Sequence, residues 1–184
     1  MAGFSSSHTW ESLRPRKDEQ DWADVVWFKG AVPKHAFNMW LSHLNRLPTR
    51  DRLAGWGITQ VSDCCICSNE AESRDHLLLN CDFAAVIWRV VFSRLSPSLL
   101  TCRSWAEMLS WTRRCSRKAP SILRKLAAHT TIFHIWKQRN NAYHNSQSIP
   151  PLTIFKSIDR EIRNTITSRS HLKRFERLMS LWIR

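Results

Sequence analysis

The chain has 184 residues, 43% of them apolar, and a formal net charge of +13. That length supports one domain with a substantial core or two small subdomains. The most apolar stretch, His76–Trp88, is interrupted by His76, Asn80 and Asp82, short of the roughly 20 apolar residues that a membrane-spanning helix needs. The N-terminal stretch has no apolar signal region, and its acidic Glu11, Asp18, Glu19 and Asp21 argue against a transit peptide. The expected location is therefore intracellular, nuclear or cytoplasmic, with neither secretion nor a membrane partner.

Only four glycines occur, too few for a long β-sandwich with many tight turns, and the apolar spacing predicts a mainly α fold. A helix is expected over Val32–Leu47, with Phe37, Trp40, Leu41 and Leu44 on one face and Pro33 in its first turn. Thr49 reads as the N-cap of a short helix over Arg50–Trp56, closed by a left-handed Gly57. Phe83, Ala84, Ile87, Trp88, Val91 and Phe92 form a further helical stripe with Asp82 as its cap. Ser104 caps a short helix over residues 104–113, with Trp105, Met108 and Leu109 inside. Three more helices are expected: Pro120–Tyr143, then Leu152–Thr167 after the Pro150-Pro151 break, then Leu172–Ile183. Trp27, Trp40, Trp56 and Trp88 are assigned to core packing, with base stacking as the functional alternative for any that are exposed.

The charge is unevenly placed. Residues 1–102 hold 11 Lys/Arg and 11 Asp/Glu, whereas residues 103–184 hold 17 and 4, so the whole excess lies in the second part. Such a segment attracts polyanions, nucleic acid first; a solvated helical surface is the plain alternative. Charge and loop character change near residues 112–120, and the organisation expected is a small helical domain at 8–100 followed by a basic helical region at 101–184.

Six cysteines without an export signal point to thiols or metal ligands rather than disulfides. Cys102 and Cys115 are read as packed thiols. The pattern Cys64-x2-Cys67-x8-His76-x4-Cys81 offers three thiolates and one imidazole, a common tetrahedral set for one structural zinc ion. Four protein ligands leave no open position for catalysis. Cys65 is an alternative first ligand, with the x2 spacing favouring Cys64.

Around these residues the sequence resembles the zinc-binding domain found at the C-terminal side of plant non-LTR (LINE-type) retrotransposon reverse transcriptases. The resemblance runs through Trp10–Arg14 (WESLR), Asp24–Phe28 (DVVWF), Val32–Phe37 (VPKHAF), Trp40-Leu41, Asn45–Leu53 (NRLPTRDRL), Trp56-Gly57, Cys64–Cys67, Glu72, Asp75–Leu79 (DHLLL), Cys81 and Trp88. It covers roughly residues 8–92, and the segment IFHIWKQRN at 132–140 resembles one that often follows the domain. It implies zinc ligation by Cys64, Cys67, His76 and Cys81 and descent from a retroelement polyprotein.

No Tyr/Phe-x-Asp-Asp sequence is present, and the basic half lacks a spread of acids for a ribonuclease H site, so no enzyme is expected. The chain, beginning at Met1 just before the resembling region, reads as a detached or domesticated piece. The leading expectation is a noncatalytic zinc module binding RNA or single-stranded DNA. Its phosphate-contacting residues would be Arg113, Arg114, Arg117, Lys118, Arg124, Lys125, Lys137 and Arg139. A zinc-held module for a protein partner, and a decaying retroelement fragment, are the alternatives.

Overall fold

The computed structural model describes residues 5–14, 18, 20–99 and 101–183. The structure is mainly α, with no strand among the described residues beyond an isolated Asp63–Ala71 bridge. In chain order the helices are α1 (Ser6–Leu13), α2 (Ala23–Val26), α3 (Pro33–His43), α4 (Arg50–Gly55), α5 (Asp82–Leu95), α6 (Trp105–Arg113), α7 (Ser121–Asn145), α8 (Pro151–Ser168) and α9 (Leu178–Trp182). A π turn, His76–Asn80, precedes α5, and a 3-10 turn, Lys173–Phe175, precedes α9. Among the described residues no helix is long and apolar enough to cross a membrane.

Helix α7 is the axis of the fold. It is 25 residues long, about 38 Å, and packs against α3, α5, α6, α8 and the π turn. Its buried positions lie all around the helix, from Leu123, Leu126 and Ala127 to Ile132, Ile135 and Gln138, as a helix enclosed by neighbours requires. By contrast α8 is amphipathic: Ile154, Phe155, Ile158, Ile162 and Ile166 face inward, and Lys156, Arg160 and Arg163 do not. One hydrophobic cluster runs through the whole assembly, from Val25 and Met39 through Leu77 and Trp88 to Ile158 and Trp182.

Several expected elements appear as read. Ser104 caps α6 by accepting from the Glu107 N–H at 3.3 Å, and Gly57 follows α4 at φ +72°. The α5 stripe is buried at Ala84, Ile87, Trp88, Val91 and Phe92, although Cys81, not Asp82, occupies its cap position.

Other expectations are corrected. Phe37 lies on the open side of α3, 53% exposed; the face toward α7 carries His35, Ala36, Met39 and Ser42. His35 is tolerated there because its ring packs on Phe133 at 4.5 Å and its Nε2 lies 3.1 Å from the Glu161 carboxylate. Thr49 sits at the N-cap position of α4, but its hydroxyl donates to Asp51 at 2.5 Å, and the Arg52 N–H is accepted at 2.7 Å by Asp51 instead. Trp27 and Trp56 are each more than half exposed, whereas Trp88 is core. Cys102 is buried as expected but Cys115 is exposed. The helix expected at Leu172–Ile183 is broken, because the chain turns to bury Phe175 against Gly30. A Cβ on Gly30 would meet the Phe175 ring at 2.7 Å, and its φ of +96° also disfavours any side chain.

Burial of three histidines makes the fold acid-sensitive. His129 is enclosed in α7, with Nε2 2.9 Å from the Val25 carbonyl, and burial pushes its pKa down to about 3. Burial likewise lowers His35 to about 4, and lowers His134. The unfolded chain therefore takes up these protons near pH 6.5, while the folded protein refuses them until lower pH. Stability is full above that value and falls as pH drops from 6.5 toward 4 and 3, by about 1.4 kcal/mol per unit for each proton. A His129→Gln variant, whose amide still donates to Val25, is expected to show a shallower fall in urea-unfolding free energy between neutral pH and pH 4. An unchanged slope would reject the assignment.

Candidate metal centre

The metal-binding segment is built from a short hairpin and a π turn. The hairpin closes through Cys64 N–H to Glu70 O and Glu72 N–H to Ser62 O, both 2.8 Å. Between them the chain reverses, with Ser68 at φ +56° donating its N–H to Cys64 O at 2.8 Å. This tight turn brings Cys64 and Cys67 to one side. The π turn supplies the other pair. Cys81 N–H donates to His76 O at 2.6 Å, an i to i+5 bond, so the two side chains lie one turn apart on the same side. Leu77, Leu78 and Leu79 anchor the turn in the core, and Trp88 Nε1 donates to Leu78 O at 2.7 Å.

The ligand atoms of Cys64, Cys67, His76 and Cys81 all lie within 4.8 Å of one another. Cys67 Sγ and His76 Nε2 are 3.3 Å apart. Bond lengths near 2.3 Å to sulfur and 2.0 Å to nitrogen place tetrahedral neighbours roughly 3.3–3.8 Å apart, so the cluster needs only small adjustments to hold zinc. Cys64 and Cys81 are fully buried and His76 nearly so. Hydrogen bonding from Cys81 draws the Cys64 thiol down to about 5, while the same contact and burial push Cys81 up. The two sulfurs thus compete for one proton, the arrangement expected of a thiolate group that a cation would neutralise. His76 Nδ1 lies 3.2 Å from Glu70 Oε2, a carboxylate placed to fix the tautomer that leaves Nε2 free to ligate. Bound there, zinc would supply a cross-link between hairpin and π turn, with four protein ligands and no open position.

Cys65 is excluded from this set. Its sulfur points to the Arg139 carbonyl of α7, 3.7 Å away, and burial, then Glu72, pushes its thiol up to about 12. Glu72 lies beneath the hairpin, fully buried, and its Oε2 accepts from Cys65 N–H at 3.1 Å. Its Oε1 accepts from Arg139 Nε at 2.8 Å, so a buried ion pair joins the hairpin to α7. Neither Glu70 nor Glu72 is recognisable as a supporting residue from ligand spacing; the available signal was their position just after the turn.

The eight basic residues expected to contact phosphate do not share one surface. Arg139 is 2% exposed and belongs to the Glu72 ion pair, between the Trp136 and Tyr143 rings. Arg124 is 7% exposed, donates to Ala119 O at 3.2 Å and lies over the Trp111 ring. Both are corrected from surface to interior residues, because aromatic rings and internal acceptors hold guanidiniums well. Lys125 and Arg113 pair with Asp24 of α2, at 2.8 and 3.5 Å. Arg114, Arg117 and Lys118 remain exposed in the α6–α7 connection, with no carboxylate partner among the described residues. Lys137 is exposed on α7, away from that connection, in a cleft facing α8.

A family model described as zinc-binding in reverse transcriptase matches residues 4–88, a span that contains all four clustered residues and ends within α5. No curated protein and no solved structure matches the chain.

Proposed function

We propose that this chain is a noncatalytic, zinc-held module of retroelement origin that binds RNA or single-stranded DNA. In this reading the source is a plant-type LINE element, the zinc hairpin is structural, and the protein works inside the cell. The zinc-binding family match at residues 4–88 and the clustered Cys3His set support the first half of this reading. The observation that carries the second half is the exposed run of Arg114, Arg117 and Lys118, without a carboxylate partner among the described residues, in a chain whose whole charge excess lies after residue 102. Cations placed in this way neutralise phosphates with little sequence preference and release counterions.

Binding of a labelled single-stranded oligonucleotide, followed by fluorescence anisotropy, is expected to weaken at least about tenfold between about 50 and 200 mM salt. Arg117→Glu with Lys118→Glu should reduce that dependence. Affinity indifferent to salt, or no binding at all, would reject the nucleic-acid reading.

One observation favours a second reading, a zinc-held surface for a protein partner. Trp27 and Phe37 are 51% and 53% exposed and flank Trp40 at ring distances of 6.3 and 5.8 Å, an apolar platform on α2 and α3. Under that reading Trp27→Ser with Phe37→Ser abolishes association, and charge reversal at Arg117 and Lys118 does not.

A further inference from the structure

A cleft of about 590 Å³ lies between α7 and α8. That volume falls within the roughly 300–1,000 Å³ usual for small-ligand sites, but the lining is unusually polar. Three cations line it: Lys137 from α7 and Arg160 and Arg169 from the end and flank of α8. No carboxylate pairs with any of the three among the described residues. The Arg169 guanidinium makes long contacts to neutral acceptors, 3.4 Å to Ala31 O, 3.4 Å to Ser168 Oγ and 3.5 Å to Thr165 O. One acid also lines the cleft, Glu161, and its charge is already answered by Lys34 at 2.7 Å. A phosphate entering the cleft would therefore meet net positive charge.

A second, independent feature lies in the same wall. Gln138 is 1% exposed; its Nε2 donates to Gln147 O at 2.9 Å, but its Oε1, buried, has no partner. Leaving a buried carbonyl unpaired costs free energy of the same order as a lost hydrogen bond, so such an atom calls for a partner. Gln138 thus offers an acceptor within a cleft whose cations attract an anion. A nucleotide unit carries both complements: a phosphate, and a base edge with N–H donors.

Resting on the proposed nucleic-acid reading, we infer that the α7–α8 cleft seats one nucleotide of a single strand. Lys137, Arg160 and Arg169 take the phosphate and Gln138 Oε1 accepts from the base. Residues Lys137 and Arg160 are exposed, so reversing them leaves the core untouched. Anisotropy with the full chain and a fluorescein-labelled oligouridylate is expected to show Lys137→Glu/Arg160→Glu binding at least about tenfold more weakly, with a salt slope lower by about 1.5 to 2. Independently, 4-thiouridine placed in the strand should photo-crosslink the unaltered protein within residues 134–141 or 157–169. Unchanged affinity in the double variant, with crosslinks confined to other segments, overturns the cleft while leaving the proposed function standing. An unaltered chain that binds no strand overturns both.

Discussion

Cys81→Ser is expected to lose its equivalent of zinc and at least about 3 kcal/mol of stability, whereas Cys65→Ser keeps the metal and nearly all the stability. The two sulfurs are separated by place and function: Cys65 lies in the hairpin turn but outside the cluster, and Cys81 ends the π turn within it. Cys81 is fully buried within the four-residue cluster, where the π turn meets α5, so losing its thiolate unties the end of that turn from the metal. Cys65 faces the α7 backbone, its sulfur 3.7 Å from Arg139 O, and lies outside the cluster. Structural zinc contributes roughly 10–16 kcal/mol of apparent binding free energy in isolated finger peptides. Here the loss is smaller, because α5, α7 and α8 share a core that does not depend on the metal. A loss of about 3 kcal/mol lowers the melting temperature of a chain this size by roughly 6–12 °C. Metal analysis and thermal melts of the two variants, with and without chelator, give the test. Full zinc in Cys81→Ser, or an equal deficit in Cys65→Ser, would remove the proposed ligand set.

The site was more legible than the fold around it. Metal ligands must be particular residue types at particular reaches, so Cys64, Cys67, His76 and Cys81 announce themselves by spacing. The i to i+5 turn that aligns His76 with Cys81 does not, because a π turn has no composition of its own. The regular stripe of α5 was readable since it faces one core, whereas α6 was read at Trp105 and Met108 but not at its buried Trp111 and Thr112. The face of α3 was not: it buries His35, a polar residue made tolerable by Glu161, which arrives from α8 far along the chain. The same cause misleads at Arg139 and Arg124. In sequence an arginine is a surface charge, and only the folded partner, Glu72 or the Trp111 ring, turns it into an interior residue. Phe175 breaks its helix for the space that Gly30 leaves, another dependence between distant segments. What local pattern cannot carry is the second member of each long-range pair.

Glu72→Ala is expected to cost about 3–5 kcal/mol, and more than Arg139→Ala. Both side chains are essentially buried, so either single truncation strands a charge, or a charge-bearing hydrogen-bond group, in the interior. The two losses are unequal because Glu72 answers three groups. It accepts from Arg139 Nε at 2.8 Å, from Arg50 N–H at 3.1 Å and from Cys65 N–H at 3.1 Å. The last two are backbone donors at the start of α4 and in the zinc turn, and they lose an acceptor in Glu72→Ala but keep it in Arg139→Ala. The arginine in turn is held between the Trp136 and Tyr143 rings, at 5.0 and 4.6 Å, and its removal leaves a gap there. The double variant should be less unstable than the sum of the singles, with a coupling of about 1–3 kcal/mol, since its second truncation removes the stranded partner. Urea midpoints at a constant m-value measure all three. Because the pair ties the metal hairpin to the central helix, Glu72→Ala should also release zinc faster to a competing chelator, and Arg139→Ala should do so to a smaller degree. Strictly additive losses, or zinc release unchanged in Glu72→Ala, would mean that the hairpin and the helical core are energetically separate and that the ion pair merely lies between them.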